Sequence, residues 1–321
     1  MSRNKKKINF KVWILKWIEN QKKLGKIKKS TLAIYEGYIN NHILPYLGKY
    51  YLNKITPKII NSFCDYEIRV KKVNLNTLKN IKSVIHKALN EAVVLEIIKN
   101  NPTDYVTLPK YETPEVQVLS SDEEEKLCSM LNEENMNIGI GILIALNTGL
   151  RLGEILALRW YNIDFENGTM EVKYSLSRQK SYDEKSKKKT KLVLDKPKTK
   201  SSQRIVPLNN TILNILKNHK ERKKIISNGK DIDDDFVVSK IFGKATEPKT
   251  FYLFFKRILK KAGIRNIKFH CLRHTFTAKA LKTKTSDKVI SEILGHSNIV
   301  TTLNVYGHIS NEMKEELMKN I

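Results

Sequence analysis

Residues 269–308 contain three short motifs: Phe269-His270-Cys271-Leu272-Arg273-His274, then Leu294-Gly295-His296, then Tyr306-Gly307-His308. This stretch of forty residues holds four of the chain's seven histidines, an arginine, and a tyrosine set between two glycine-marked breaks. A guanidinium group binds oxyanions through a planar fork, an imidazole carries protons near neutral pH, and a tyrosine hydroxyl can act as a nucleophile. The stretch therefore predicts most of a phosphoryl-transfer site.

A second arginine would complete the set of cations that such a site needs. Phosphodiester cleavage gathers negative charge on the non-bridging oxygens, which two guanidinium groups stabilise better than one. Arg273 lies three residues after His270 on a predicted helix, so both should project from one face. Arg151 follows the break at Thr148-Gly149, at a predicted helix start where backbone N–H groups also favour an anion. Glu154 either orients Arg151 or a neighbouring cation, or is an ordinary first-turn acid.

The net charge of +26 is the strongest signal in the composition. It implies a polyanionic partner, either nucleic acid or an anionic membrane surface. The longest nearly uncharged apolar run, Asn137 to Leu150, is too short to span a bilayer. Because Lys5-Lys6-Lys7 is followed by an amphipathic pattern and not by a signal-peptide core, the sequence predicts a cytoplasmic protein.

The cysteine pattern argues against a disulfide framework, since the three cysteines are far apart and none has C-x-x-C spacing. Four candidate zinc ligands do occur near one another: His270, Cys271, His274 and His296. They form no obvious closed ligand set, and Arg273 would oppose a cation. The sequence therefore predicts neither a metal nor any other cofactor.

Residues 1–101 show helical spacing and no strand signal, which predicts a small four-helix domain. Its helices are predicted from near Phe10, from a cap at Ser30, from Thr56-Pro57, and over Asn76 to Lys99. Trp13 and Trp17 fall on the apolar face of the first helix, so core packing is favoured over base stacking for both. Residues 102–118 hold three prolines and no period, which indicates a linker.

Residues 119–321 are predicted to form a mainly helical second domain with a small antiparallel sheet. Its first helix should begin with a capping box at Ser121-Asp122-Glu123-Glu124. Short strands are predicted over 169–174, 192–194 and 204–208, with a lysine-rich loop over 178–191 between them. Later helices include His270 to Leu281, Asp287 to Leu294 and Ser310 to Lys319.

The ordered motifs of the second domain resemble those of the tyrosine recombinases, the phage-integrase family. The matching motifs are Thr148-Gly149-Leu150-Arg151-Leu152-Gly153-Glu154, His270-Cys271-Leu272-Arg273-His274, Leu294-Gly295-His296 and Tyr306-Gly307-His308. Four motifs in this order are specific, whereas any one alone is weak. The resemblance implies a mainly α fold, with a four-helix SAM-like core-binding domain followed by an α+β catalytic domain.

The resemblance also implies a role for each matching residue. Tyr306 would be the nucleophile and would form a 3′-phosphotyrosine, while Arg151 and Arg273 would clamp the scissile phosphate. His270 and His296 would carry a proton and donate a hydrogen bond to the phosphate, with rings that titrate near neutrality. His274 is expected to be a helix or core residue.

The family uses a lysine on the β-hairpin of the sheet as the general acid for the leaving oxygen. The segment Pro197-Lys198-Thr199-Lys200-Ser201-Ser202-Gln203-Arg204 matches that hairpin. Lys198 occupies the Lys-Thr position and is favoured, with Lys200 as a competitor and a solvated basic loop as the alternative to both. Since the phosphotyrosine conserves the bond energy, rejoining would need neither a nucleotide nor a metal.

The expected partner is double-stranded DNA carrying recombination sites. The basic first domain and the lysine-rich loop would form a clamp around the duplex, with residues 102–118 as its hinge. By resemblance, the protein would assemble as a homotetramer on two sites, with a possible accessory DNA-bending or excision factor. The helix predicted over Ser310 to Lys319 would pass to a neighbouring protomer or pack within its own.

Several functions remain open on the sequence alone. A site-specific recombinase that integrates or excises a mobile genetic element is favoured, because the lysine-rich hairpin insert is typical of integrases from Gram-positive mobile elements. A Xer-type enzyme that resolves chromosome or plasmid dimers is the alternative. A type IB topoisomerase shares the same chemistry, and a non-catalytic DNA-binding regulator would share only the fold.

Overall fold

The computed structural model describes residues 7–109, 116–131, 135–182, 189–195, 203–240, 242–283 and 285–295. The chain divides into two compact units, residues 1–113 and 114–321, and the division falls inside the predicted linker. No helix in the described part of the chain is long and apolar enough to cross a membrane.

The first unit is helical, as predicted. Its α-helices are α1 (Phe10–Leu24), α2 (Lys29–Tyr38), α3 (Leu44–Leu47), α4 (Pro57–Arg69) and α5 (Leu75–Val94), with a π-helical turn over Ile39–Ile43 between α2 and α3. Trp13 and Trp17 are buried, and the Trp13 indole donates a hydrogen bond to the carbonyl of Ala88 at 2.9 Å. The prediction of core packing for both tryptophans is confirmed.

Two predicted helix ends in this unit are wrong. Ser30 does not cap α2, because the helix begins one residue earlier at Lys29 and Lys28 holds the cap position. The helix α5 ends at Val94 and not at Lys99, since Glu96 adopts a φ of 55°, which a helix cannot continue through. The predicted start at Thr56-Pro57 is confirmed, with the Thr56 hydroxyl accepting from the amide of Ile59.

The second unit combines helices with short antiparallel strands. Its helices are α6 (Ser121–Ser129), α7 (Met136–Thr148), α8 (Leu152–Ala157), α9 (Asn210–Ile226), α10 (Pro248–Lys261), α11 (His270–Lys282) and α12 (Asp287–Leu294). The predicted capping box exists but lies one residue earlier than expected: Ser120 is the cap and pairs with Glu123. A serine cap needs its acid three residues later, and Ser120 satisfies that spacing.

The strands are β1 (Ile163–Asp164), β2 (Thr169–Val172), β3 (Ser175–Lys180), β4 (Thr190–Asp195) and β5 (Arg204–Pro207). In the described residues they form two small sheets where one was predicted: a three-stranded sheet in the order β1-β2-β5, and the hairpin β3-β4. The lysine-rich loop is shorter than predicted, because pairing extends to Lys180 opposite Thr190. The sheets and helices thus place β5, α8, α11 and α12 in one unit around the predicted site.

Candidate active site

The structure describes three of the six predicted site residues: Arg151, His270 and Arg273. Lys198, with its competitor Lys200, and His296 and Tyr306 lie outside the described residues. Arg151 precedes α8 and Arg273 lies on α11, yet both guanidinium groups donate to the same carbonyl, that of Leu294. The two predicted phosphate ligands are therefore brought together in space.

Arg273 is almost completely buried, with 2% of its surface exposed. Its Nη1 donates to the carbonyl of Gly149 at 2.7 Å and its Nη2 to that of Leu294 at 2.8 Å. No hydrogen bond joins it to a carboxylate in the described part of the chain. Burial and the nearby Arg151 lower the pKa of Arg273 to about 9, which still leaves it charged at neutral pH. A surface salt bridge, the ordinary role for an arginine, is excluded for this residue.

Arg151 is half-exposed and sits just before the first residue of α8. Its Nη1 donates to Glu154 at 3.1 Å and to the Leu294 carbonyl at 3.5 Å, and its Nη2 donates to the Gly295 carbonyl at 3.3 Å. The side chain is thus held by an acid on one side and by the end of α12 on the other. Its exposed part remains accessible to an anion from solvent.

Glu154 is a buried carboxylate that binds two arginines. It accepts from the Arg151 amide at 2.9 Å and from the Arg151 side chain, and also from Nη1 and Nη2 of Arg204 at 3.3 and 3.1 Å. Burial would raise the pKa of Glu154, but the hydrogen bonds and charges of Arg204 and Arg151 lower it below its ordinary value. Glu154 therefore orients Arg151. The Arg151 amide, expected to attract an external anion, is occupied by this carboxylate instead.

Arg204 is the functional candidate that sequence reasoning missed. It is the last residue of the segment 197–204, where its position indicates no role of its own. In the structure it lies on β5 with 7% of its side chain exposed, and its Nε donates to the carbonyl of Ile293 at 2.5 Å. This contact joins residues 89 positions apart, so no local pattern could reveal it.

The carboxyl end of α12 is held by all three arginines. The carbonyls of Ile293, Leu294 and Gly295 accept from Arg204, from Arg273 and Arg151, and from Arg151, respectively. Because the carboxyl end of a helix carries partial negative charge, these cations stabilise it. The residue that follows Gly295 is His296, so the helix end that leads into the next predicted site residue is fixed by the arginine cluster.

Two glycines make the close packing possible. Gly149 has a φ of 64°, and a Cβ there would lie 2.6 Å from side-chain atoms of both Leu294 and Phe276. Gly295 has a φ of 66°, and a Cβ there would lie 2.8 Å from Nη1 of Arg204. Positive φ and the absence of a side chain are both required at these positions.

Comparisons with known protein families agree with this geometry. The model of the phage integrase family matches residues 117–313, which include every site residue predicted from the sequence. The model of the phage integrase N-terminal SAM-like domain matches residues 9–68. The chain belongs to the phage integrase family.

Its similarity to individual integrases extends over most of the chain. It is 30% identical to a tyrosine recombinase XerC-like protein of Caldanaerobacter subterraneus subsp. tengcongensis, over 92% of this chain and 78% of that protein. It is 29% identical to the ICEBs1 integrase of Bacillus subtilis, over 86% and 73% of the two chains. The fold matches the Tn1549 transposon integrase in complex with transposon right end DNA, with a TM-score of 0.80 at 23% identity, over 98% and 99% of the two chains. The protein is thus a tyrosine-type site-specific DNA recombinase.

His270 differs from the expectation for this integrase. It is the first residue of α11, keeps an exposed surface, and packs edge-on against His274 with ring centroids 4.7 Å apart. Desolvation, followed by the charges of His274, Arg273 and Arg151, lowers the pKa of His270 below its ordinary value. The lowered pKa favours the neutral ring in the DNA-free protein, while the catalytic role of His270 stays a prediction. A neutral imidazole can both donate and accept a hydrogen bond, which suits either predicted role.

Proposed function

We propose that this recombinase integrates and excises a mobile genetic element by cutting and rejoining DNA through a 3′-phosphotyrosine. The observation that carries the proposal is that Arg151 and Arg273 donate to the same carbonyl, that of Leu294. Of the two, Arg273 has no carboxylate bonded to it among the described residues. Such a pair favours an external dianionic transition state over its own surroundings. The similarity to the ICEBs1 integrase and to the Tn1549 transposon integrase supports a mobile element as the source of the DNA.

In the first step, the Tyr306 oxygen would attack the scissile phosphorus. The bond from phosphorus to the 5′ oxygen breaks as the phosphotyrosine bond forms, and Lys198 would give its proton to the departing 5′ oxygen. Arg151 and Arg273 would bind the non-bridging oxygens throughout. His270, neutral before DNA binds, would accept the tyrosine proton as the oxygen attacks, and His296 would donate a hydrogen bond to the phosphate.

In the second step, a 5′ hydroxyl from the partner strand would attack the phosphotyrosine and release Tyr306. The number of phosphodiester bonds is unchanged, so the exchange needs no external energy source. Recombination between two duplexes requires four such exchanges, which fits the proposed homotetramer on two sites. An accessory DNA-bending or excision factor would act on this assembly and not on the chemistry.

We assign core-site binding to residues 1–101, linkage to residues 102–118 and catalysis to residues 119–321, acting on DNA in the cytoplasm. The charge of +26 predicts that phosphate contacts supply much of the affinity. Affinity for a duplex should therefore fall by about a thousand-fold or more between 50 and 200 mM salt, the loss typical of six to ten phosphate contacts. Fluorescence anisotropy measures this directly, and an affinity that hardly changes would contradict DNA binding by both regions.

The decisive experiment uses nicked suicide substrates that trap the covalent intermediate. The DNA is taken from the two junctions at which the mobile element that carries the integrase gene meets the surrounding genome. Wild type should form an adduct, Tyr306→Phe should form none, and peptide mapping should place the bond on Tyr306. An adduct formed by Tyr306→Phe would refute the nucleophile, and no wild-type adduct on any junction would refute the proposed function.

Dimer resolution is a second candidate, favoured by the similarity to the XerC-like protein. The two functions differ in their DNA. An element integrase recombines the element ends with a target, whereas a dimer resolvase recombines two identical sites in tandem. Plasmids that carry each arrangement distinguish the candidates by which product accumulates.

A further inference from the structure

We infer that Arg204 is a positioning residue that fixes Arg151, through Glu154, and the carboxyl end of α12 in one arrangement. The inference rests on the proposed roles of Arg151 and Arg273 at the phosphate. It adds to the site a residue that has no direct part in the chemistry. Its evidence is the geometry around one buried guanidinium group.

The guanidinium of Arg204 binds two elements at once. Its Nη1 and Nη2 form a two-point contact with the Glu154 carboxylate, at 3.3 and 3.1 Å, while its Nε donates to Ile293 at 2.5 Å. A planar fork with a third donor on its edge is unique to arginine. A lysine at this position keeps the charge but cannot reach both partners.

The charges assign Arg204 a role different from those of the other two arginines. Glu154 is the carboxylate that pairs with both Arg204 and Arg151 in the described structure. Arg204 binds it with two nitrogens and is almost buried, whereas Arg151 binds it with one side-chain nitrogen and is half-exposed. Arg204 therefore takes up much of the charge of Glu154, so Arg151 shares that acid and Arg273 has none bonded to it among the described residues.

Arg204 is also close in sequence, or bonded to a residue close in sequence, to the other predicted site residues. Arg204 opens β5, where it pairs with Val172 of β2, and it follows Lys198 by six residues. The α12 carbonyl that it binds is three residues before His296. Gly295 packs against its guanidinium so closely that a Cβ would meet it. One side chain thus links the segment after the predicted general acid, the phosphate arginines and the segment that leads to the nucleophile.

The test compares Arg204→Lys with Arg265→Lys. Arg265 makes a similar two-nitrogen contact with the Glu123 carboxylate on α6 and also donates to the carbonyl of Val118, so it is a matched control away from the arginine cluster. Arg204→Lys should keep its affinity for the DNA site, while the single-turnover cleavage rate falls by about ten- to a hundred-fold, as expected when a catalytic group is misplaced. Arg265→Lys should cleave at the wild-type rate. Equal rates for the two variants, or a loss of affinity that accounts for the whole defect, would overturn the inference.

A second measurement is independent of catalysis. In DNA-free protein, the thermal stabilities of Arg204→Gln, Glu154→Gln and the double variant form a double-mutant cycle. The inference predicts that the double variant loses clearly less stability than the two single losses combined, because each single variant leaves a buried partner unpaired. Additive losses would overturn it. If wild type makes no adduct, the proposed function fails, while this cycle still decides whether Arg204 and Glu154 are coupled as one buried pair.

Discussion

Each unit of this integrase contains a deeply buried glutamate, and the two glutamates are paired differently. In the first unit, Glu67 is fully buried and accepts from a single basic side chain, Nδ1 of His42 at 2.5 Å. In the second unit, Glu154 accepts four hydrogen bonds from two arginines, while a third arginine, Arg273, stands beside them without an acid bonded to it among the described residues.

The difference separates a one-to-one acid–base contact from a cluster in which the described cations outnumber the carboxylates. Glu67 has one basic side chain bonded to it and its Oε1 has no hydrogen-bond partner among the described residues, so this contact offers no surplus cation to an external anion. Among the described residues, three guanidinium groups around one carboxylate leave positive charge that an external anion would neutralise, and the burial of Arg273 makes that need stronger because charge is costly to bury unpaired. This contrast supports a phosphate at the second site and none at the first.

The largest effect expected from this contrast follows the removal of Arg273. Arg273→Ala should reduce the single-turnover cleavage rate by about a hundred- to a thousand-fold, the loss typical of deleting one donor to a developing oxyanion. Covalent-adduct formation on suicide DNA measures the rate, and circular dichroism checks the fold. A cleavage rate close to that of wild type would remove the arginine pair from the chemistry.

The matching substitution in the first unit should act on stability alone. His42→Ala leaves the Glu67 carboxylate buried without its basic partner, which should cost about 1–3 kcal/mol of unfolding free energy. Thermal or denaturant unfolding measures the cost. The cleavage rate of the DNA-bound variant should equal that of wild type. A slower chemical step would contradict the claim that this contact in the first unit acts on stability alone.

Gly295→Ala should lower both the stability and the cleavage rate by an amount between those of the other substitutions. The positive φ alone costs about 1–2 kcal/mol for a residue with a Cβ, and the new methyl group would meet the Arg204 guanidinium. Both unfolding temperature and cleavage rate should fall. Gly263→Ala, which has a similar φ of 67° but open space around it, is the control for strain without the contact. Equal cleavage by both variants would show that the packing on Arg204 does not matter.

The smallest effect expected is on the pH dependence of stability. His270 and His274 have folded-state pKa values below their ordinary value, mainly because of desolvation. Below about pH 6.5 the unfolded chain therefore binds more protons at these rings than the folded protein does, and stability should fall as the pH decreases. His270→Gln should reduce this dependence in melting experiments. The same measurement on His86→Gln, a histidine substitution in the first unit, is the comparison.

DNA should reverse the shift at His270. A bound phosphate favours the imidazolium form, so the pKa of His270 should rise on formation of the complex. Titration of the histidine proton resonances by NMR, with and without a duplex site, measures both values. A pKa for His270 that does not change with DNA would place the ring away from the phosphate.

The sequence predicted those parts of the site that depend on local pattern. The motifs around Arg151 and Arg273 identified both arginines, and the structure confirms that they lie together. The role of Arg204 depends on β5 lying against the end of α12, a contact between distant segments that local spacing does not encode. The low pKa of His270 has a mixed origin: desolvation and the charges of His274 and Arg273 on its own helix come first, and Arg151 from a distant segment adds to them.

The fold shows the same division. The buried face of α1 and the start of α4 follow from apolar spacing and from the Thr-Pro start, both local signals. The sequence predicts a helix cap at Ser30, because serine is a preferred cap residue. In the structure Lys28 holds the cap position of α2 without a side-chain hydrogen bond, so residue type gives no signal for the true start. The separation of the strands into two sheets depends on β2 pairing with β5, which no strand pattern specifies.

The central claim is that the surplus positive charge of Arg151 and Arg273 serves the scissile phosphate. The most direct test replaces the scissile phosphate with a methylphosphonate, which is neutral and needs less positive charge in the transition state. The account predicts that Arg273→Ala is severely defective on the phosphate and recovers most of its relative activity on the methylphosphonate, as judged by covalent adduct per unit time. An equal defect on both linkages would contradict it, since Arg273 would then act on the fold and not on the charge.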